Sequence, residues 1–231
     1  MLNIKTDEQG DYICNLSKDE NYYSQRNNQI DPTNSCATTS MVQALEIAGY
    51  TFPDILPNYR QPEDKLIYFI RHDKRVLAYW KSIDPDGYNA WASKTGCYFE
   101  PNEVHAVLSY GTNLFMGKTV TKFTTAMPLD TIVGELLSRQ KPCVMSGKFG
   151  GLNHVVTLVG CVIPKRTYKR KKLGNMKFKD IKYFIIDDTF GETGNYKSGK
   201  KGNDILVSPE RFIAEFKELG NSRYKWCHTI V

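Results

Sequence analysis

The chain has 231 residues, 41% hydrophobic and 24% charged, an ordinary globular composition that excludes disordered and fibrous classes and can bury a sizeable core. Lys and Arg number 31 against 25 Asp and Glu, so the formal charge is +6, which favours an anionic partner such as nucleic acid, a membrane surface or a wall polymer without choosing among them. No window approaches the roughly 18 apolar residues of a membrane span, and MLNIKTDEQGDYI lacks the apolar core of a secretory signal, so a soluble protein made in the cytoplasm is expected.

Taken in chain order, the N-terminal segment is polar and reads as irregular. From about Ala37 to Ala48, apolar Ala37, Met41, Ala44, Leu45 and Ala48 recur at helical spacing, and Gly49 ends the helix. QPEDKLIYFIRHDKRVLAYWKSI places Pro62 and two acids in a first turn and predicts one bent helix or two short ones, ended by DPDG. PNEVHAVLSY, from Pro101, and MPLDTIVGELLSRQ predict two more helices, with a short strand over TVTKFTT between them. At KPCVMSG the pattern changes to short β-branched runs bounded by glycine, as in buried strands, and HVVTLVGCVI and IKYFIIDDTF follow. The basic stretch between those two, about 164–180, predicts a hairpin extension or an exposed loop. A helix over SPERFIAEFKEL and a strand over KWCHTIV close the chain. The fold class is α+β in one domain over 1–231, a helical half followed by a sheet, with the first helix placed to pack on that sheet.

The six cysteines, at 14, 36, 97, 143, 161 and 227, form no CxxC pair, which predicts free thiols rather than a disulfide framework. Cys and His nowhere cluster at ligand spacing, so neither a metal nor another cofactor is expected. Cys36 stands at a helix start, near the positive end of the dipole, where a thiolate is favoured and sulfur becomes nucleophilic. Taken alone it reads first as a small core residue, and chemistry would need a base. His72 lies among charged neighbours, His228 in a terminal strand, and His105 on a helix as a candidate core residue. His154 opens NHVVTLVG directly after a glycine pair, at the mouth of a buried strand. Asp187 and Asp188 end the run YFIID; they could cap a turn, or one could hold the histidine's tautomer and orientation.

Cys36, then His154, then Asp187 or Asp188 is the chain order of a papain-type site. The pieces YSQ at 23–25, SCATTSMVQAL, KPCVMSGKFGGLNHVVTLVGC and IIDDTFG resemble papain-like cysteine peptidases of the bacteriocin-processing type, including phage and bacterial lysin relatives. The resemblance implies a nucleophile helix packed on an antiparallel sheet, Cys36 as nucleophile, His154 as base and Asp188, aligned with the family's Asp-Pro-x-Gly, as orienter. It further implies that Gln25 lends its amide to the oxyanion hole, although Gln29 is nearer in sequence. Departures are Ala37, Asn153 and Thr189, where relatives carry Gly, Gly and Pro. The implied activity is cleavage of a peptide amide, foremost a peptidoglycan stem peptide in a phage-type lysin acting on an anionic wall after release. A protein-processing protease and an inactive binding module are the alternatives. Nucleic acid is the weaker partner for the lysines at 165–179, because only Tyr168 and Phe178 interleave them.

Overall fold

The computed structural model describes residues 1–56, 58–94, 99–191, 201–218 and 227–231. Two strands open the chain, β1 (Asn3–Thr6) and β2 (Tyr12–Asn15), paired antiparallel, with Gly10 in the intervening turn at φ +80°. This corrects the expectation of an irregular N-terminus. All four β1 residues are exposed and only Cys14 of β2 is buried, so neither strand carries the apolar alternation by which strands are read.

Helix α1 (Cys36–Ile47) is buried on every side from Ala37 to Leu45 rather than along one stripe. That burial is tolerable because its polar residues find partners in the preceding turn and on the strands it packs against. Thr38 Oγ1 donates to the Ser35 carbonyl at 3.1 Å, Ser40 Oγ to the Val155 carbonyl at 3.1 Å, and Gln43 Nε2 to Asp187 at 2.6 Å.

The long helical stretch from Gln61 is two helices, α2 (Pro62–His72) and α3 (Lys74–Ile83). The break falls at Asp73, whose side chain accepts from the Arg75 N–H and so caps α3. DPDG, expected only as a stop, begins another helix, α4 (Pro85–Ser93). Asp84 accepts from the Gly87 N–H at 3.2 Å and Pro85 takes the first helical position, where its missing donor costs nothing.

The succession continues with α5 (His105–Phe115), β3 (Thr121–Thr124), α6 (Leu129–Leu137), β4 (Cys143–Gly147) and β5 (His154–Ile163). After these come the short helix α7 (Lys165–Tyr168), β6 (Tyr183–Asp187), β7 (Ile205–Val207), α8 (Pro209–Glu218) and β8 (Cys227–Ile230). The architecture is α+β, with every described strand pair antiparallel. The central strand is β5, whose ten residues are all buried and which pairs with β2, β4 and β6. Beyond β4 lie β8 and then β3; beyond β6 lies β7, too short at three residues to be read from sequence.

Helices cover the sheet in two cores. On one face Ile132, Leu136, Phe149, Phe184 and Phe212 bring α6 and α8 against it, and on the other Met41, Leu45, Leu66, Trp80 and Leu108 join α1, α2, α3 and α5. Cysteines far apart in sequence meet across strands: Cys14 lies opposite Cys161 in the β2–β5 register, and Cys143 hydrogen-bonds Cys227. All the described cysteines are free; Cys97 lies outside the described residues. Among the described residues, no helix is long and apolar enough to cross a membrane and no His, Cys, Asp and Glu cluster could hold a metal ion.

The basic connection forms no strand of its own, and most of its lysines and arginines are exposed. After α7 it forms turns at Leu173–Asn175 and Phe178–Asp180, and it folds back on the sheet through buried Met176 and Ile181. Tyr168 stacks on Tyr12 with ring centres 3.7 Å apart, and Phe178 on Phe184 at 5.2 Å.

Candidate active site

Three element ends converge on one point. Antiparallel pairing sets Thr157 opposite Asp187, so the start of β5 lies beside the end of β6, and α1 crosses there through Ser40 on Val155 and Gln43 on Asp187. Cys36 is the first residue of α1, His154 the first of β5 and Asp188 the first after β6. The His154 Nε2 and Asp188 Oδ1 atoms are 2.6 Å apart, with Asp188 fully buried and His154 almost so. The Cys36 side chain is the ring's second hydrogen-bonding partner. With Nε2 taken by Asp188, Nδ1 is the nitrogen left for the thiol.

Burial is the largest influence on His154 and disfavours the imidazolium. The hydrogen bonds to Asp188 and Cys36, and the charges of both, outweigh it and push the ring's pKa up to about 10. Asp188 Oδ1 also accepts from the Phe190 N–H at 2.9 Å, which fixes the carboxylate against the following turn. The Tyr22 hydroxyl lies 2.8 Å from the Asp188 carbonyl, and Gly202, at φ +96°, comes so close that a Cβ there would meet that carbonyl at 2.3 Å. Phe190 stands edge-on to His154, with ring centres 6.3 Å apart, and Arg26 lies over its other side, 4.4 Å from the ring centre.

Asp187 belongs to a different cluster. One of its oxygens accepts from Gln43 Nε2 at 2.6 Å and the other from the Asp204 N–H at 2.8 Å. Thr157 Oγ1 extends this network by donating to Gln43 Oε1 at 3.2 Å. Burial, only partly offset by those bonds, pushes the Asp187 pKa up to about 7. Adjacent strand residues point to opposite faces, so one carboxylate meets the histidine and the other the flank of α1.

Gln25 is buried between the two loops of the site. Its backbone N–H donates to the Thr189 carbonyl at 2.8 Å and its Oε1 accepts from Thr189 Oγ1 at 3.0 Å. Its Nε2 reaches the carbonyls of Pro32 and Thr33, both at 3.2 Å, just before Cys36. In this arrangement the amide ties the aspartate turn to the cysteine loop. Gln29 is exposed, and its backbone N–H donates to Asp64.

Asn28, which sequence reasoning passed over, is buried and donates to Ser35 Oγ at 2.8 Å and Thr39 Oγ1 at 2.9 Å, bracing the start of α1. Nothing in RNNQIDPTNS marks it out, because its partners lie seven and eleven residues away. Gln43 had a signal: a polar residue among the apolar positions Met41, Val42, Ala44 and Leu45 of α1.

The other histidines stand elsewhere. His105 Nδ1 and His228 Nε2 lie 2.6 Å apart in the core, and His72 is exposed with its Nδ1 near the Tyr68 carbonyl. Comparison with protein-family models, curated proteins and solved structures found no match to this chain.

Proposed function

We propose that the chain is a cysteine peptidase of papain-like architecture that cleaves a peptide amide with Cys36, His154 and Asp188. The supporting observation is a single buried imidazole held between a carboxylate on Nε2 and a thiol side chain at a helix start. A ring so placed can take the thiol proton on Nδ1 and remain charged while the sulfur attacks.

In the reaction, Cys36 Sγ bonds to the carbonyl carbon and the electron pair moves to oxygen. The backbone N–H of Cys36, in the first turn of α1 where no residue four earlier accepts within the helix, is left to stabilise that oxyanion. Gln25 serves as a second donor if one of its N–H groups turns from the Pro32 and Thr33 carbonyls. Collapse breaks the C–N bond as the imidazolium gives its proton to the leaving amine. Water then attacks the thioester, loses its proton to His154, and releases the acid and the free thiol. Asp188 keeps the ring's tautomer and orientation throughout.

The first substrate to test is a peptidoglycan stem peptide, in keeping with the chain's positive charge and its resemblance to lysin-type relatives. Purified cell walls and a peptide library, incubated with the wild type and with Cys36→Ser, are read by mass spectrometry for new amino termini. The wild type is expected to generate them and Cys36→Ser not. Cleavage in the library alone would move the substrate to proteins, and no cleavage in either would reject the peptidase.

A further inference from the structure

The positive charge of the chain is not spread over it. Between residues 164 and 182 there are nine Lys and Arg and one Asp, whereas the rest of the chain has 22 Lys and Arg against 24 Asp and Glu. One connection therefore supplies more than the whole net charge, and the remainder is slightly acidic. A solvated loop could carry such a run without purpose, but this one is built. Its apolar residues turn inward, with Met176 and Ile181 buried, Tyr168 stacked on Tyr12 and Phe178 on Phe184. Its one acid bridges it internally, as Asp180 accepts both contacts of Lys171 at 2.7 Å and the Lys177 N–H at 2.9 Å.

Held on that frame, Arg166, Lys169, Arg170, Lys172, Lys177 and Lys179 are all exposed. Lys177 approaches Asp130 only at 3.8 Å, and the other five take part in no ion pair among the described residues. Keeping several like charges together costs self-repulsion, which an anionic partner would relieve.

The position of the patch limits what the partner does. The connection leaves β5 after Ile163, whereas His154 begins the same strand. Ten residues of strand place the two roughly 30 Å apart, at about 3.3 Å per residue. The basic surface and the candidate active site are therefore separate places on the molecule.

We infer that the 164–182 connection is an anchoring surface for an anionic, phosphodiester-containing cell-wall polymer, gripped through its phosphates at the end of the sheet opposite the candidate active site. The choice of wall polymer rests on the peptidase reading, because such polymers lie beside the stem peptides that the site would cut. Anchoring would raise the local concentration of those peptides without contributing to the chemistry.

The test uses Cys36→Ala protein, so that retention is measured without hydrolysis, on purified walls, on walls stripped of phosphodiester polymers with cold hydrofluoric acid, and on immobilised duplex DNA. Retention on intact walls is expected to fall at least tenfold after stripping, and equally in a variant carrying Arg166→Ala, Lys169→Ala, Arg170→Ala and Lys172→Ala. It should also weaken as salt is raised. In the Cys36 background the same fourfold variant should cleave a soluble stem peptide at the wild-type rate and keep the wild-type Tm, since the four side chains are exposed. Retention indifferent to stripping or to the four substitutions overturns the anchor. Tight retention on DNA with none on walls overturns it in favour of nucleic acid. Failure of the stem peptide to be cut by any form counts against the peptidase, while phosphate-dependent retention still supports the anchor.

Discussion

Two buried histidine sites on the same sheet have their pKa values moved in opposite directions. His154 has a carboxylate 2.6 Å from one nitrogen and a thiol on its other side, and its pKa is pushed up to about 10. His228 is equally buried, but its near partner is a second imidazole, His105, at 2.6 Å. Burial therefore prevails and pushes its pKa down to about 3. His105 is lowered too, by burial and by His228. The residue type and the burial are shared, so the partner decides in which direction the ring's pKa moves.

The largest test of that contrast removes the carboxylate. Asp188→Asn should lower amide cleavage by about a hundredfold to ten-thousandfold with the fold kept, because an amide can no longer hold the imidazolium or fix its tautomer. Turnover on a soluble peptide, read beside the circular dichroism spectrum, measures this; turnover within threefold of the wild type would dissolve the distinction between the two sites.

The sites should also respond to pH with opposite signs. Folded His154 keeps its proton to about pH 10, so the stability it contributes is full below the ordinary histidine value, near 6.5, and is lost as pH rises through 10. Folded His228 stays neutral to about pH 3 whereas the unfolded ring charges below about 6.5, so stability falls by a few kcal/mol as pH drops between those values. Urea unfolding as a function of pH should therefore show an acid-side slope that flattens in His228→Phe and an alkaline-side slope that flattens in His154→Phe. If each replacement flattened the other limb, the charge assignments would be reversed.

A smaller effect separates the neighbouring aspartates. Asp187→Ala leaves Gln43 Nε2 and the Asp204 N–H without their buried acceptor, which should cost about 1–3 kcal/mol for each group. Turnover per folded molecule should fall by less than tenfold. A loss matching that of Asp188→Asn would place the orienting role on Asp187.

The parts of the site that can be read in sequence are those standing at the ends of strongly patterned elements. Cys36 precedes a helical repeat, His154 opens ten buried strand residues, and Asp188 follows an apolar strand, so local pattern singles out the three places, while the choice between Asp187 and Asp188 comes only from the family resemblance. The N-terminal hairpin is silent because β1 is wholly exposed and depends on β2, which in turn depends on β5 for pairing. DPDG shows how one residue pair can be read two ways, since Asp-Pro both stops a helix and caps the next. The contacts of Gln25 and Asn28 depend on how a loop folds around α1, which no periodicity encodes.

The central claim, that Cys36, His154 and Asp188 act as one nucleophilic unit, is tested most directly by iodoacetamide labelling of the native protein at neutral pH, with each cysteine followed by mass spectrometry. Cys36 is half-buried while Cys14, Cys143, Cys161 and Cys227 are sealed in the core, so exposure alone would favour it and the comparison must be made against His154→Ala. The account predicts that Cys36 labels faster than those four in the wild type and slows by roughly tenfold or more in His154→Ala, with the other cysteines unchanged. An inert Cys36, or one whose rate ignores the loss of His154, would contradict it.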